Sequence, residues 1–157
     1  MTNMDTSEKI GLIIANCNFC VLYHPVRIEI DPDVLPFKLP DKRVVIPIGP
    51  ATDPKLFGNR IKEGFGNLNG VILVPGRRFD KFGGRHGKGW GWYDRFLSTA
   101  PAKIVRIGIC SKDQFCESRL LLQEWDQLMD WIIVYDNEDF TFYETSARVV
   151  VESSIYN

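Results

Sequence analysis

"GVILVPGRRFDKFGGRHGKGWGWYDRFLST", residues 70–99, runs from a continuous apolar segment through a glycine-rich stretch into a helix candidate. Val71 to Val74 are all Val, Ile or Leu, with none of the alternation of a half-exposed strand, which fits a strand buried on both faces. Pro75 ends that strand, and Gly76 opens a loop reaching to about Gly91, where "WYDRFL" starts a helix over 91–99. Strand, glycine-rich loop and helix start make the arrangement that binds phosphate. Unhindered backbone N–H groups converge on an anion, the helix N-terminus adds partial positive charge, and Lys and Arg add full charges. The spacing is neither that of a Walker loop nor that of the dinucleotide fingerprint. On the residues alone, a phosphate cradle and a tight surface loop with solubilising basic residues both remain open.

The same order repeats on either side of this stretch. "FCVLY" (19–23) reads as a strand, "RVVIPI" (43–48), "VRIGIC" (105–110) and "DWIIVYD" (130–136) are continuous apolar runs that fit strands buried on both faces, and "VRIEID" (26–31) alternates like a further strand. "SEKIGLIIAN" (7–16) predicts a short helix capped from Asp5 to Ser7, and "DQFCESRLLLQE" (113–124) a second candidate. "DFTFYET" and "ARVVVESS" alternate around Ser146-Ala147 and predict a C-terminal hairpin. The expected architecture is α/β: a three-layer sandwich around a mainly parallel sheet, with a C-terminal β-hairpin, in one domain over 1–157.

With 19 Lys and Arg against 20 Asp and Glu, the chain is close to neutral, which weighs against bulk nucleic-acid or membrane binding. Between Arg77 and Arg95, however, six Lys and Arg face two Asp. A local positive patch in a near-neutral chain suits a small anionic ligand. An RNA-binding role for Arg77, Arg78, Lys81, Arg85 and Lys88 with the interleaved tryptophans is a weaker rival, opposed by the neutral balance. No apolar stretch reaches the roughly 20 residues of a spanning helix, and Asp5, Glu8 and Lys9 do not form the cationic start of a signal peptide, so a cytoplasmic location is expected. Cys17 and Cys20 form a C-x-x-C pair with no histidine nearby, and a role as small buried hydrophobes is the simpler reading for the cysteines. His86 has no evident base partner, and packing is the simpler account of Trp125 and Trp131.

"VPGRRFDKFGGRHGKGWGWYDRFL" closely resembles the signature of the 5-formyltetrahydrofolate cyclo-ligase family, also called methenyltetrahydrofolate synthetases. The pattern of V-P-G, two residues, F-D, two residues, G, and then R-x-G-x-G-x-G-x-Y-D is met at Val74, Pro75, Gly76, Phe79, Asp80, Gly83, Arg85, Gly87, Gly89, Gly91, Tyr93 and Asp94. More weakly, "IEID" (28–31) resembles a folate-contacting stretch, with Pro32 in place of a threonine. The segment "LLLQEWDQLMDWIIVYD" resembles the family's terminal strand region, with Asp126 and Asp130 at acidic positions.

The resemblance implies an ATP-dependent cyclisation of 5-formyltetrahydrofolate to 5,10-methenyltetrahydrofolate, with ATP and Mg2+ as cofactors. Arg85, His86, Gly87, Lys88, Gly89, Trp90, Gly91, Trp92 and Tyr93 would wrap the triphosphate, with Arg85, Lys88 and Tyr93 nearest the reaction. Glu29, Trp90 and Trp92 would meet the folate, and Asp94 and Asp126 would hold magnesium as hard oxygen ligands. Departures stand beside these matches. Trp92 replaces the first residue of a Tyr-Tyr-Asp, Trp90 stands where lysine or glycine is frequent, and Lys9 is the one cation before Arg27. They favour, as the alternative, a folate- or nucleotide-binding relative that has lost turnover. A homodimer is one arrangement that could supply further cations.

Overall fold

The apolar runs become neighbouring strands in the computed structural model, which describes residues 4–27, 29–47, 52–89 and 91–148. In chain order the strands are β1 (Phe19–Leu22), β2 (Arg43–Val45), β3 (Gly70–Val74), β4 (Arg78–Asp80), β5 (Arg85–His86), β6 (Val105–Ser111), β7 (Phe115–Cys116), β8 (Trp131–Asp136) and β9 (Asp139–Glu144). The helices are α1 (Thr6–Ala15), α2 (Pro54–Phe65) and α3 (Trp92–Thr99). A six-stranded sheet runs β2-β1-β3-β6-β8-β9, parallel up to β8 and antiparallel at β9. Side chains alternate through it. Phe19, Val21, Ile72, Val74, Ile132 and Val134 face one core with Ile61 of α2 and Phe96 and Leu97 of α3. Cys20, Leu22, Val71, Leu73, Ile107 and Ile133 face the other, with Ile10 and Ile14 of α1 and Leu35 and Leu39. Ile72, Leu73, Ile107 and Ile132 are each fully buried, contributing roughly 1.5–3 kcal/mol apiece. These are the three layers expected from the unbroken apolar runs.

Three local expectations are corrected. Residues 26–31 form no strand among those described, because Arg27 takes φ 53° and Glu29 turns its carboxylate back to the Val26 N–H at 3.0 Å. Residues 113–124 are not a helix. After a short 3-10 turn at Lys112–Gln114 and the two residues of β7, the chain is drawn across the glycine-rich segment, where Leu120 N–H donates to Asp80 and the Leu121 carbonyl meets His86. Leu121 consequently sits 92% exposed. β9 pairs antiparallel with β8 through a turn in which Asn137 and Glu138 both have positive φ, and the expected second arm of its hairpin is "ARVVVESS". From residue 149 that last segment lies outside the described residues. The edge strand β2 is partly exposed, with Val45 at 42%, and is not a run buried on both faces.

One helix had no counterpart in the sequence reading. α2 opens at Asp53, whose carboxylate accepts from the Lys55 and Leu56 N–H groups, with Pro54 in the first turn. This Asp-Pro start was the available signal. The glycine-rich stretch is also more ordered than a loop: β5, β4 and β7 make a small second sheet at its base.

Candidate active site

Parallel strands end on one side of the sheet, and the chain is added to both sides of β1, first as β2 and then as β3. In such sheets ligands sit outside the strand carboxyl ends where the order switches. There the segments following β1 (Tyr23, His24), β2 (Ile46, Pro47) and β3 (Pro75, Gly76) meet the start of α3 around a cleft of about 1210 Å³.

Arg85 is the centre of this cleft. It is buried, its Nε donates to the Pro75 carbonyl at 2.7 Å, and its guanidinium lies 4.9 Å from the centre of the Tyr93 ring. Burial lowers its pKa, opposed in order by Asp94, Tyr93, Asp126 and Glu29. All four line the same cleft as Arg85, although the sequence separates Glu29 from Asp126 by almost a hundred residues. The Tyr93 hydroxyl is pushed well above its ordinary range by burial, with Arg85 pulling the other way.

The alternate glycines serve two different needs. A side chain at Gly87 would meet the Arg85 guanidinium at 3.0–3.1 Å, so its absence lets the loop close over the arginine. Gly89 and Gly91 have φ of 93° and 67°, the left-handed region, and open space where a side chain would be. Gly91 is also the residue from which α3 starts. Among the described loop residues Lys88 is exposed and reaches Glu29 across the cleft at 3.6 Å.

Glu29 is held by the turn that replaced its predicted strand. The Tyr23 hydroxyl donates to the Ile30 carbonyl, tying this turn to the end of β1. Its side chain is only 12% exposed.

Asp94, in the first turn of α3, accepts the Gln127 N–H at 2.9 Å, and Asp126 accepts the Gln123 N–H at 2.7 Å. The Asp94 carboxyl is raised by partial burial, opposed by the Gln127 N–H and Arg85, and raised further by Asp126 beside it. Two adjacent carboxylates on a cleft, backed by a hydrogen-bonded turn, suit Mg2+, which commonly takes one or two protein carboxylates and fills its other positions with phosphate oxygens and water. Among the described residues no group of three or more His, Cys, Asp or Glu could hold a metal.

The remaining expected residues divide. Trp92 lines the cleft, but its ring packs on Phe57, Tyr93 and Phe96, and its Nε1 donates to the Thr52 carbonyl at 3.2 Å. Trp90 lies outside the described residues. His86 Nε2 bonds the Leu121 carbonyl at 2.7 Å. Asp80 is wholly buried and accepts from the Phe82, Gly84 and Leu120 N–H groups, which pins the base of the loop. Asp130 is away from the cleft lining, in a buried pair with Arg148 at 2.8 Å. Trp125 is the correction: Trp131 is core, yet Trp125 is 65% exposed on the cleft rim. Cys20 and Cys110 are buried and Cys17 is half-buried, with its thiol raised to about 11 by burial and by Cys20.

Residues 59–135, which carry β3, the glycine-rich loop, α3 and the Asp126 turn, match the model of the 5-formyltetrahydrofolate cyclo-ligase family. That match spans just under half of the chain, and over it the chain is similar to the cyclo-ligase family. A Schizosaccharomyces pombe protein named "Probable 5-formyltetrahydrofolate cyclo-ligase" is 32% identical over 73 residues, which are 40% of this chain and 36% of that protein. The chain thus matches little more than a third of the length of that curated relative. The fold is shared with the 5,10-methenyltetrahydrofolate synthetase of Aquifex aeolicus, at TM-score 0.54 and 21% identity over 93% of this chain and 87% of that one. It is shared also with the synthetase of Mycoplasma pneumoniae, at TM-score 0.51 and 19% identity over 81% and 80%. The cyclo-ligase likeness therefore reaches beyond the matched segment as fold alone. No described helix is long and apolar enough to cross a membrane.

Proposed function

We propose that the chain is an ATP-dependent cyclo-ligase that converts 5-formyltetrahydrofolate to 5,10-methenyltetrahydrofolate. The observation that carries this reading is that buried Arg85 lines one cleft together with Glu29, Tyr93, Asp94 and Asp126. In this reaction the formyl oxygen attacks the γ-phosphorus of ATP, and ADP leaves. Nitrogen 10 of the folate then attacks the activated formyl carbon and gives up its proton, the carbon–oxygen bond breaks, and phosphate departs with that oxygen and takes up the proton. Such chemistry needs positioning and charge neutralisation more than covalent help.

The residues suit those tasks. Arg85, held rigidly by Pro75, Tyr93 and Gly87, offers a planar cation to phosphate oxygens, and Lys88 adds a mobile one. Gly87, Gly89 and Gly91 line the same cleft at the start of α3, a setting in which backbone N–H groups favour an anion. Glu29, across the cleft, would accept from a pterin N–H. Asp94 and Asp126 would hold Mg2+, which supplies charge neutralisation to the phosphates when bound. The test is to supply purified protein with ATP, Mg2+ and 5-formyltetrahydrofolate and to follow the near-ultraviolet absorbance of the methenyl product together with phosphate release. Absence of both sinks the enzyme reading.

One observation favours a second reading, a folate- or nucleotide-binding relative without turnover. Lys9, the early cation of the sequence, pairs with Glu144 at 2.7 Å and does not line the cleft. Calorimetry separates the two readings: a pure binder gives saturable heat and releases no phosphate.

A further inference from the structure

Behind the paired carboxylates lies a buried cation that the cleft chemistry does not use. Arg106, near the start of β6, is 6% exposed. One terminal nitrogen donates to Gln127 Oε1 at 3.0 Å and to the Leu128 carbonyl at 3.4 Å, and the other donates to the Leu97 carbonyl in α3 at 3.2 Å. Its own backbone N–H donates to Asp130 at 2.8 Å. Arg106 therefore clamps both segments that bear the carboxylates: α3, which carries Asp94, and the 126–128 turn, which carries Asp126. The clamp continues directly to the site, since the Gln127 it holds donates its N–H to Asp94.

We propose that Arg106 is a positioning residue that, through Gln127, sets the separation of Asp94 and Asp126 for a divalent cation. Two half-buried carboxylates repel each other and drift apart unless something fixes them. The geometry supplies that fixing at two points, on α3 and on the turn. A buried guanidinium with a rigid fork is the side chain suited to hold both at once, and lysine has no equivalent. Bulk packing alone would be served as well by an apolar residue of that length, without the cost of burying a charge. Burial indeed lowers the Arg106 pKa to about 10, with Arg148 in the same direction and Asp130 and Asp94 opposing.

This inference rests on reading Asp94 and Asp126 as the magnesium carboxylates. The test is calorimetric binding of ATP with and without Mg2+, which needs no turnover. Arg106→Lys is the direct variant. Because its buried site puts folding at risk, Gln127→Leu is the second, as Gln127 is only half-buried and its N–H to Asp94 survives the substitution. For Gln127→Leu the gain in ATP affinity brought by Mg2+ should fall about fivefold, the size of one lost hydrogen bond, with affinity for metal-free ATP changed less than about twofold. Gln127→Glu, which keeps an oxygen for Arg106, should restore at least the wild-type gain. An unchanged gain in folded Gln127→Leu, or no restoration by Gln127→Glu, overturns the positioning role and leaves the metal reading intact. If wild-type protein itself binds ATP equally with and without Mg2+, the metal reading fails and takes this proposal with it.

Discussion

The guanidinium of Arg85 stacks 4.9 Å from the centre of the Tyr93 ring while its Nε is fixed to the Pro75 carbonyl. The strand end, the loop and the helix start are thus joined through one side chain. Arg85→Lys keeps the charge but loses the fork and the flat stacking face. ATP affinity should fall roughly 10- to 150-fold, as expected for a lost charge-assisted contact of about 1.5–3 kcal/mol. Calorimetry with ATP reads this directly, and an unchanged affinity would remove Arg85 from the nucleotide site.

Gly87 and Gly91 should respond differently to alanine. Gly87→Ala places a methyl group 3.0 Å from an Arg85 nitrogen, so it should impair ATP binding with little change in melting temperature. Gly91→Ala forces a side chain into the left-handed region at the start of α3, at a cost of roughly 1–2 kcal/mol. That corresponds to a fall in Tm of roughly 2–8 °C for a chain of this size. Thermal melts and ATP titrations on both variants distinguish the two roles, and identical behaviour would contradict them.

Lys88 and Glu29 bridge the cleft at 3.6 Å, but Lys88 is 55% exposed, so the pair should add no more than about 1 kcal/mol to stability. Its importance lies with ligands. Lys88→Met should weaken ATP binding and steepen no folate defect, whereas Glu29→Gln should weaken 5-formyltetrahydrofolate binding about tenfold or more, the loss of one contact to a charged group. Equilibrium titrations of each ligand against both variants test this. A Glu29→Gln protein that binds folate normally would place the pterin elsewhere.

Asp130 and Arg148 show what part of the chain was legible and what was not. Continuous Val and Ile runs revealed β3, β6 and β8, since a strand buried on both faces can carry almost nothing else. The tight spacing from Gly76 to Asp94 likewise marked the loop that closes over Arg85, because backbone close to a guanidinium or in the left-handed region tolerates few residues. Residues 113–124 misled because "SRLLLQE" has helical composition, yet Asp80 and His86 capture its backbone from a distance no local pattern records. Trp125 was misplaced for the same reason: a tryptophan near a strand suggests core, and only the turn at Asp126 brings it to the rim. The pairing of Asp130 with Arg148 is equally non-local. Asp130→Asn should leave the half-buried Arg148 guanidinium and the buried one of Arg106 short of a counter-charge and cost about 3 kcal/mol. The expected fall in Tm is roughly 6–12 °C, and circular-dichroism melts would expose a smaller role if the shift stays near zero.

Asp94 and Asp126 carry the metal-dependent prediction. Without a cation, the Asp94 carboxyl is disfavoured in its charged form by partial burial and by Asp126, so its charge at neutral pH works against the fold. Asp94→Asn removes that opposition while retaining an oxygen to accept the Gln127 N–H. In EDTA this variant should therefore melt no lower than wild type. With ATP and Mg2+ at a hundredfold the dissociation constant, wild type should gain about 2.7 kcal/mol from linkage, which is roughly 5–11 °C in Tm. Asp94→Asn should lose most of the Mg2+-dependent part of that gain. Differential scanning calorimetry over these four conditions decides the matter. An Asp94→Asn protein that responds to Mg2+ as wild type does would show that the cation is held elsewhere, or by the nucleotide alone.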